Sequence, residues 1–227
     1  MSLILCLETA TTVCSVALAS DGKLLAIKED NAKYSHAETI TLYIEEVMKQ
    51  AGKSLQELDA IAVSMGPGSY TGLRIGVSTA KGLCYALDKP LIATPTLKSM
   101  ALSQLPTPDS RLPTLLCPMI DARRMEVFCA IYNEALNEVR KTTAEIITEN
   151  SFSDLLKDHR LIFFGDGAAK CKALLAGHPN VVFVADVFPS SKSLVPLAQE
   201  RYEKQQFEDV ALFEPYYLKD FFDTAKR

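Results

Sequence analysis

The feature that most constrains what this chain can fold into is a repeat in its order of elements. Short apolar runs at 3–7, 14–19 and 24–29 read as strands, with the turn signal Asp21-Gly22 between the last two. The period then lengthens. Ile40, Ile44, Val47, Met48 and Ala51 recur at helical spacing, Ser35 with Glu38 makes a capping-box pattern ahead of them, and Gly52 follows. A buried strand at 59–64, a helix at 71–87, a strand at 91–93 and a helix at 97–105 complete the first half.

The second half starts over after a linker marked by Pro106, Pro108 and Pro113. Strands are expected at 115–120, 127–132 and 139–147, and Ser151-x-x-Asp154 opens a helix. A strand at 161–164, a helix at 168–175, a strand at 181–184 and a helix at 194–205 follow. Each half therefore reads strand-strand-strand-helix-strand-helix-strand-helix. The fold class is α/β, a duplicated actin-like (ASKHA, ribonuclease-H-like) fold whose lobes each carry a mixed sheet and flanking helices. The expected boundaries are an N-terminal lobe at 1–105 and a C-terminal lobe at 106–227.

Composition supports that size and narrows the function. With 227 residues, 48% of them apolar, the chain has enough material for two small cores. A formal net charge of −4 argues against a surface that grips nucleic acid unaided. Cys6, Cys14, Cys84, Cys117, Cys129 and Cys171 form no C-x-x-C pair and read as buried free thiols in a reducing compartment. The N-terminus reads as a first strand, not a signal peptide, and no apolar stretch reaches membrane-span length. The expectation is a soluble cytoplasmic protein with no membrane contact.

Actin-like enzymes hold phosphates between two strand-end turns, each with an acid and then a glycine that lets backbone N–H groups approach. Here the turns read Glu8-Thr9-Ala10-Thr11-Thr12 and Asp121-Ala122-Arg123-Arg124. Both keep the acid and lack the glycine. Glu8, Thr9 and Asp121 are thus candidates for a degraded nucleotide site, alongside a reading in which the acids only cap turns. Gly165-Asp166-Gly167-Ala168 reads first as a plain turn, and second as a place where Gly165 and Gly167 approach an adenosine. Gly68-Ser69-Tyr70-Thr71-Gly72-Leu73 lacks the Lys-Ser/Thr that completes a P-loop. An actin-like ATPase or small-molecule kinase is the second functional reading. A metallopeptidase is a weaker third: His36, His159 and His178 stand at no ligand spacing, and no nucleophile has an evident base.

The segment Gly66-Pro67-Gly68-Ser69-Tyr70-Thr71-Gly72-Leu73-Arg74-Ile75-Gly76 is the most informative. Ser69 or Thr71 can cap the helix that follows, and Gly72, Gly76 and Ala80 fall every four residues on one face, with Lys81-Gly82 nearby. Glycine inside a helix costs about 1 kcal/mol relative to alanine. Close approach of another backbone is the simplest reason to keep it. The spacing leaves open whether that neighbour belongs to the same lobe or to another chain.

This segment, with Ile4-x-x-x-Glu8-Thr9-Ala10, Ser35-His36-Ala37-Glu38 and Asp121-Ala122-Arg123-Arg124-x-Glu126-Val127, resembles the TsaB (YeaZ) family. The likeness is densest over 1–130 and continues to Pro215-Tyr216-Tyr217-Leu218-Lys219, where the family more often has Arg last. It implies a non-catalytic partner subunit in the threonylcarbamoyladenosine modification of tRNA, beside the anticodon. The implied partners are a catalytic TsaD-type paralog, a TsaE-type ATPase, a second copy of the chain when alone, and tRNA only within the complex. The implied interface includes His36, Ile40, Gly68, Ser69, Thr71, Gly72, Leu73, Arg74, Gly76, Ala80 and Lys81. The resemblance implies no cofactor and no metal, and leaves open ATP or ADP at the interface of the assembled complex. Where the paralog carries two metal-binding His, this chain has Thr96 and Met100.

Overall fold

The computed structural model describes residues 1–31, 36–105 and 112–219. Three antiparallel-paired strands, β1 (Leu3–Glu8), β2 (Cys14–Ser20) and β3 (Lys23–Asp30), lead into α1 (His36–Gln50). Then come β4 (Ala60–Gly66), α2 (Tyr70–Leu87), β5 (Leu91–Pro95) and α3 (Thr96–Ser103). The second half repeats the pattern without a helix between its third and fourth strands: β6 (Thr114–Asp121), β7 (Glu126–Asn133), β8 (Glu138–Ile146), β9 (Arg160–Phe164), α4 (Ala168–Leu175), β10 (Val181–Val184) and α5 (Ser191–Glu203). The two sheets have orders β3-β2-β1-β4-β5 and β8-β7-β6-β9-β10, so the duplication extends to strand order. The first two pairings in each sheet are antiparallel and the rest parallel, the mixed α/β arrangement expected.

Alternation along a strand sends successive side chains to opposite faces. On β1, Leu3, Leu5 and Leu7 enter a core with Ile40, Ile44 and Val47 of α1 and Val77, Ala80 and Cys84 of α2. Ile4 and Cys6 face the other way, onto Leu194, Val195 and Ala198 of α5. The second sheet is covered likewise. Leu115, Cys117 and Met119 pack with Ala168 and Cys171 of α4, while Leu116 and Ile120 pack on Leu97, Met100 and Ala101 of α3.

These contacts correct the lobe boundaries. α5 follows the second sheet in sequence but covers the first, and α3 follows the first sheet but covers the second. A lobe at 106–227 is therefore not a physical unit. A polar joint fixes the α5 crossing. Ser191 N–H donates to Ser15 Oγ at 3.0 Å, and Ser15 Oγ and Ser190 Oγ both donate to Glu29 Oε2, at 2.9 and 2.6 Å. The tail returns to the first lobe too, with Glu208 N–H donating to Leu91 O and Tyr216 N–H to Met65 O.

One expected element is absent. The segment from Ser151 to Asp158 is a run of turns, not an α-helix, with Phe152 at φ +65° and its ring buried in the second core. A non-glycine residue in the left-handed region breaks helical continuity. The expected capping residue Ser35 and the linker residues Pro106 and Pro108 lie outside the described residues.

Candidate functional site

The turn after β1 is the hub of the first lobe. Glu8 is fully buried, and its Oε1 accepts from Ala10 N–H at 2.6 Å and from Ser64 Oγ at 2.7 Å. Burial pushes its pKa up to about 7, partly offset by those hydrogen bonds, and its Oε2 has no hydrogen-bond partner among the described residues. Thr9 Oγ1 donates to the Gly72 carbonyl at 2.8 Å, inside α2. Ser69 N–H donates to Ala10 O at 2.7 Å, and Ser69 Oγ caps α2 by accepting from Gly72 N–H at 3.3 Å. The His36 Nε2–H group donates to Thr11 O at 2.7 Å, which ties the start of α1 to the same turn. Thus Glu8, Thr9, His36, Ser69 and Gly72 are brought together.

The glycines explain how α2 comes so close. A Cβ at Gly68 would sit 2.3 Å from Ala10 O, one at Gly72 would sit 2.2 Å from Thr9 O, and one at Gly76 would sit 2.2 Å from Thr9 Oγ1. The close neighbour of the small-residue face is therefore the lobe's own turn. This corrects the expectation that Gly72, Gly76 and Ala80 form a face for another chain. Ile40, Leu73 and Ala80 are core residues, at most 1% exposed, and Gly72 and Gly76 are buried. Lys81 is also engaged internally, with its Nζ donating to Ala211 O at 3.1 Å and Phe213 O at 2.9 Å. Arg74 is exposed and lies 4.4 Å over the Tyr70 ring, beside Tyr217.

What α2 turns outward is a different stripe: Thr71, Arg74, Ser78, Gly82 and Tyr85. Tyr85 is 88% exposed, and nothing lies within 4 Å of where a Cβ would stand at Gly82. On the neighbouring α1, Leu42 is 56% exposed. The sequence reading noted Gly82 but missed Tyr85 and Leu42, although Thr71, Arg74, Ser78, Gly82 and Tyr85 recur at a spacing of three to four residues.

The corresponding turn of the second lobe is filled by a cation. Lys170 of α4 is ion-paired with Asp121, and its Nζ also donates to Glu126 O at 2.6 Å. Asp121 Oδ1 accepts from Arg123 N–H at 2.9 Å. Arg123 and Arg124 adopt φ values of +71° and +48°, so the turn has a glycine-like backbone but carries two long, exposed side chains. Asp121 N–H donates to Asp166 Oδ1 at 3.0 Å, and burial lifts the pKa of Asp166. A Cβ at Gly165 would sit 2.1 Å from Met119 O, and one at Gly167 would sit 2.8 Å from Ile120 C. Both glycines thus serve close packing of this turn on β6.

The positions compared with paralog His ligands are structural. Thr96 is fully buried, with Oγ1 accepting from Gly66 N–H at 3.1 Å, and Met100 is in the core beneath the second sheet. Among the described residues, no three His, Cys, Asp or Glu side chains are grouped to hold a metal ion. All six cysteines are free and buried, and burial drives the pKa of Cys6 and Cys84 up to about 12. Among the described residues, no helix is long and apolar enough to cross a membrane.

Residues 27–221 match the family model described as TsaD, tRNA N6-adenosine threonylcarbamoyltransferase. The Escherichia coli tRNA threonylcarbamoyladenosine biosynthesis protein TsaB is 28% identical over 96% of this chain and 94% of its own length. A Jannaschia tRNA N6-adenosine threonylcarbamoyltransferase is 46% identical over 85 residues, 37% of this chain and 24% of the relative. The solved structure of YeaZ from Pseudomonas aeruginosa has the same fold, with a TM-score of 0.77, 24% identity, and coverage of 96% of this chain and all of that one. The chain belongs to the TsaD family and, within it, to the TsaB (YeaZ) proteins, matching 94% of the Escherichia coli relative's length.

Proposed function

We propose that this protein is a non-catalytic subunit in the biosynthesis of threonylcarbamoyladenosine on tRNA. It acts by binding a TsaD-type catalytic paralog and assembling with a TsaE-type ATPase. The names of its TsaB relatives support the pathway. The observation that carries the subunit reading is the outward stripe of α2, where the Tyr85 ring stands 88% exposed beside the bare backbone of Gly82. Exposed aromatic rings next to small residues suit a protein interface. That stripe, with Leu42 on α1, is the surface offered to the paralog, and to a second copy when the chain is alone. The inner stripe of Gly72, Gly76 and Ala80 supports it from behind.

The site chemistry favours this reading over an ATPase or kinase. Thr9 is committed to Gly72, and the Lys170 ammonium neutralises Asp121 where an actin-like enzyme needs a carboxylate free for a metal and its waters. ATP or ADP, if used, is placed by this reading at the interface of the assembled complex. Contact with tRNA occurs only there, in keeping with a formal net charge of −4. Sedimentation of Tyr85→Ala with the cognate paralog tests the surface. The reading expects a folded variant that binds about 10-fold more weakly or worse. Unchanged binding would place the interface elsewhere.

A further inference from the structure

A cavity of about 510 Å³ opens where the carboxyl ends of β4 and β5 face the β7–β8 hairpin. Carboxyl ends of parallel strands are where open α/β sheets receive ligands, and this volume suits a small molecule. Neither the Glu8 turn nor the Asp121 turn lines it, so it is separate from the degraded phosphate turns and from the outer face of α2.

The lining has a definite chemistry. Pro67 and Pro95 supply flat apolar wall, and Tyr216 brings a ring that is 41% exposed. Lys98 of α3 and Lys141 of β8 enter from different elements, and neither makes an ion pair or hydrogen bond to any described residue. Lys98 is half-buried. Glu200 of α5 acts on Lys98 electrostatically but is itself ion-paired with Lys204, so the Lys98 ammonium, with no direct ion pair among the described residues, keeps part of a desolvation cost that a bound anion would offset. The acid in the cavity is already engaged: Glu138 Oε1 accepts from both the N–H and the hydroxyl of Thr142, each at 3.1 Å. The Tyr132 phenol stays neutral, its pKa pushed well up by burial and then by Glu138.

We infer that this cleft binds a small organic anion, a carboxylate or phosphate carried on a flat apolar body. The anionic group lies between the Lys98 and Lys141 ammonium groups, and the body packs on Tyr216 and the two prolines. The site is independent of the subunit reading. Its walls come from α3 and β8, from the ends of β4 and β5, and from the tail, so an occupant would hold the tail and both sheets together. Glu138 disfavours a polyphosphate, whose extra charge would meet a carboxylate.

Calorimetric titration of the full chain tests this with phenyl phosphate and benzoate as the two anionic probes and phenol as the neutral one. The expected result is saturable one-site binding of at least one anion and none of phenol. The preferred anion identifies the headgroup. Lys98→Met and Lys141→Met, checked for unchanged circular dichroism, should each weaken binding about 10-fold. Lys141 sits on an exposed strand position, so its variant keeps the test valid if Lys98→Met does not fold. No saturation by either anion up to about 10 mM, or affinity that survives both substitutions, would overturn the inference.

Discussion

The Thr9 hydroxyl and the Gly72 carbonyl are joined by a 2.8 Å hydrogen bond between the turn after β1 and the first turn of α2. Gly76, one helical turn on, leaves the Thr9 side chain its space, since a Cβ there would come within 2.2 Å of Oγ1. Two glycines of one helix therefore predict opposite outcomes. Gly76→Leu should destabilise the isolated monomer by about 3 kcal/mol, through overpacking and loss of the Thr9 bond. Gly82→Leu meets open space, so it should leave the monomer's stability within about 1 kcal/mol and act on association alone. Urea unfolding of both variants checks the pair. A stable Gly76→Leu monomer would show that the inner stripe is not packed as described.

Glu8 predicts a pH dependence. Its pKa rises from 4.5 in the unfolded chain to about 7 in the fold, because burial disfavours the carboxylate. The folded state therefore holds a proton that the unfolded chain has released. The stabilisation is complete below about 4.5 and is lost as pH rises through about 7. Glu8→Gln removes this component while keeping an acceptor for Ala10 and Ser64. Its stability relative to wild type should rise by about 3 kcal/mol between pH 4 and pH 8. Urea unfolding at the two pH values measures it. A constant difference would mean that Glu8 titrates normally.

Lys81 predicts the behaviour of the tail. Its ammonium holds the carbonyls of Ala211 and Phe213, and Val210 and Phe213 pack on the first core. Lys81→Met keeps the aliphatic stem and removes two charge-assisted bonds. Local opening of the tail should become easier by about 2 kcal/mol. Limited proteolysis between 205 and 219 should accelerate while the global unfolding midpoint moves little. Equal cleavage rates would show that the apolar contacts alone hold the tail.

The six thiols predict silence. All are buried, and Cys6 and Cys84 have pKa values of about 12. A thiol-reactive disulfide reagent should titrate six groups in denaturant and almost none in the native protein at neutral pH. Rapid native reaction of even one would indicate an opening that the fold does not show.

The strands were legible in the sequence because alternation and turn signals are local. Leu3, Leu5 and Leu7 separate from Ile4 and Cys6 by period alone. The destination of α5 was not legible, because an apolar stripe such as Leu194, Val195 and Ala198 says which face is buried but not against which sheet. The glycine stripe suffered the same ambiguity. Four-residue spacing announced a close neighbour, and only the fold identified it as Thr9. The Ser151-x-x-Asp154 pattern misled because the start signal has no force when the next residue, Phe152, turns left-handed to bury its ring. The lack of glycine in the Glu8 and Asp121 turns was visible in the sequence. The Lys170 ammonium that fills the second turn comes from a helix 49 positions away and left no local sign.

The central claim is that this chain is needed for tRNA modification without performing the transfer itself. Reconstitution tests it most directly, with tRNA, threonylcarbamoyl-adenylate, the cognate TsaD-type enzyme, a TsaE-type ATPase and ATP, in the presence and absence of this protein. The account predicts modified tRNA only when this protein is present, none from this protein alone, and loss of product with Tyr85→Ala. Product that forms equally well without it, or that it makes unaided, would contradict the account.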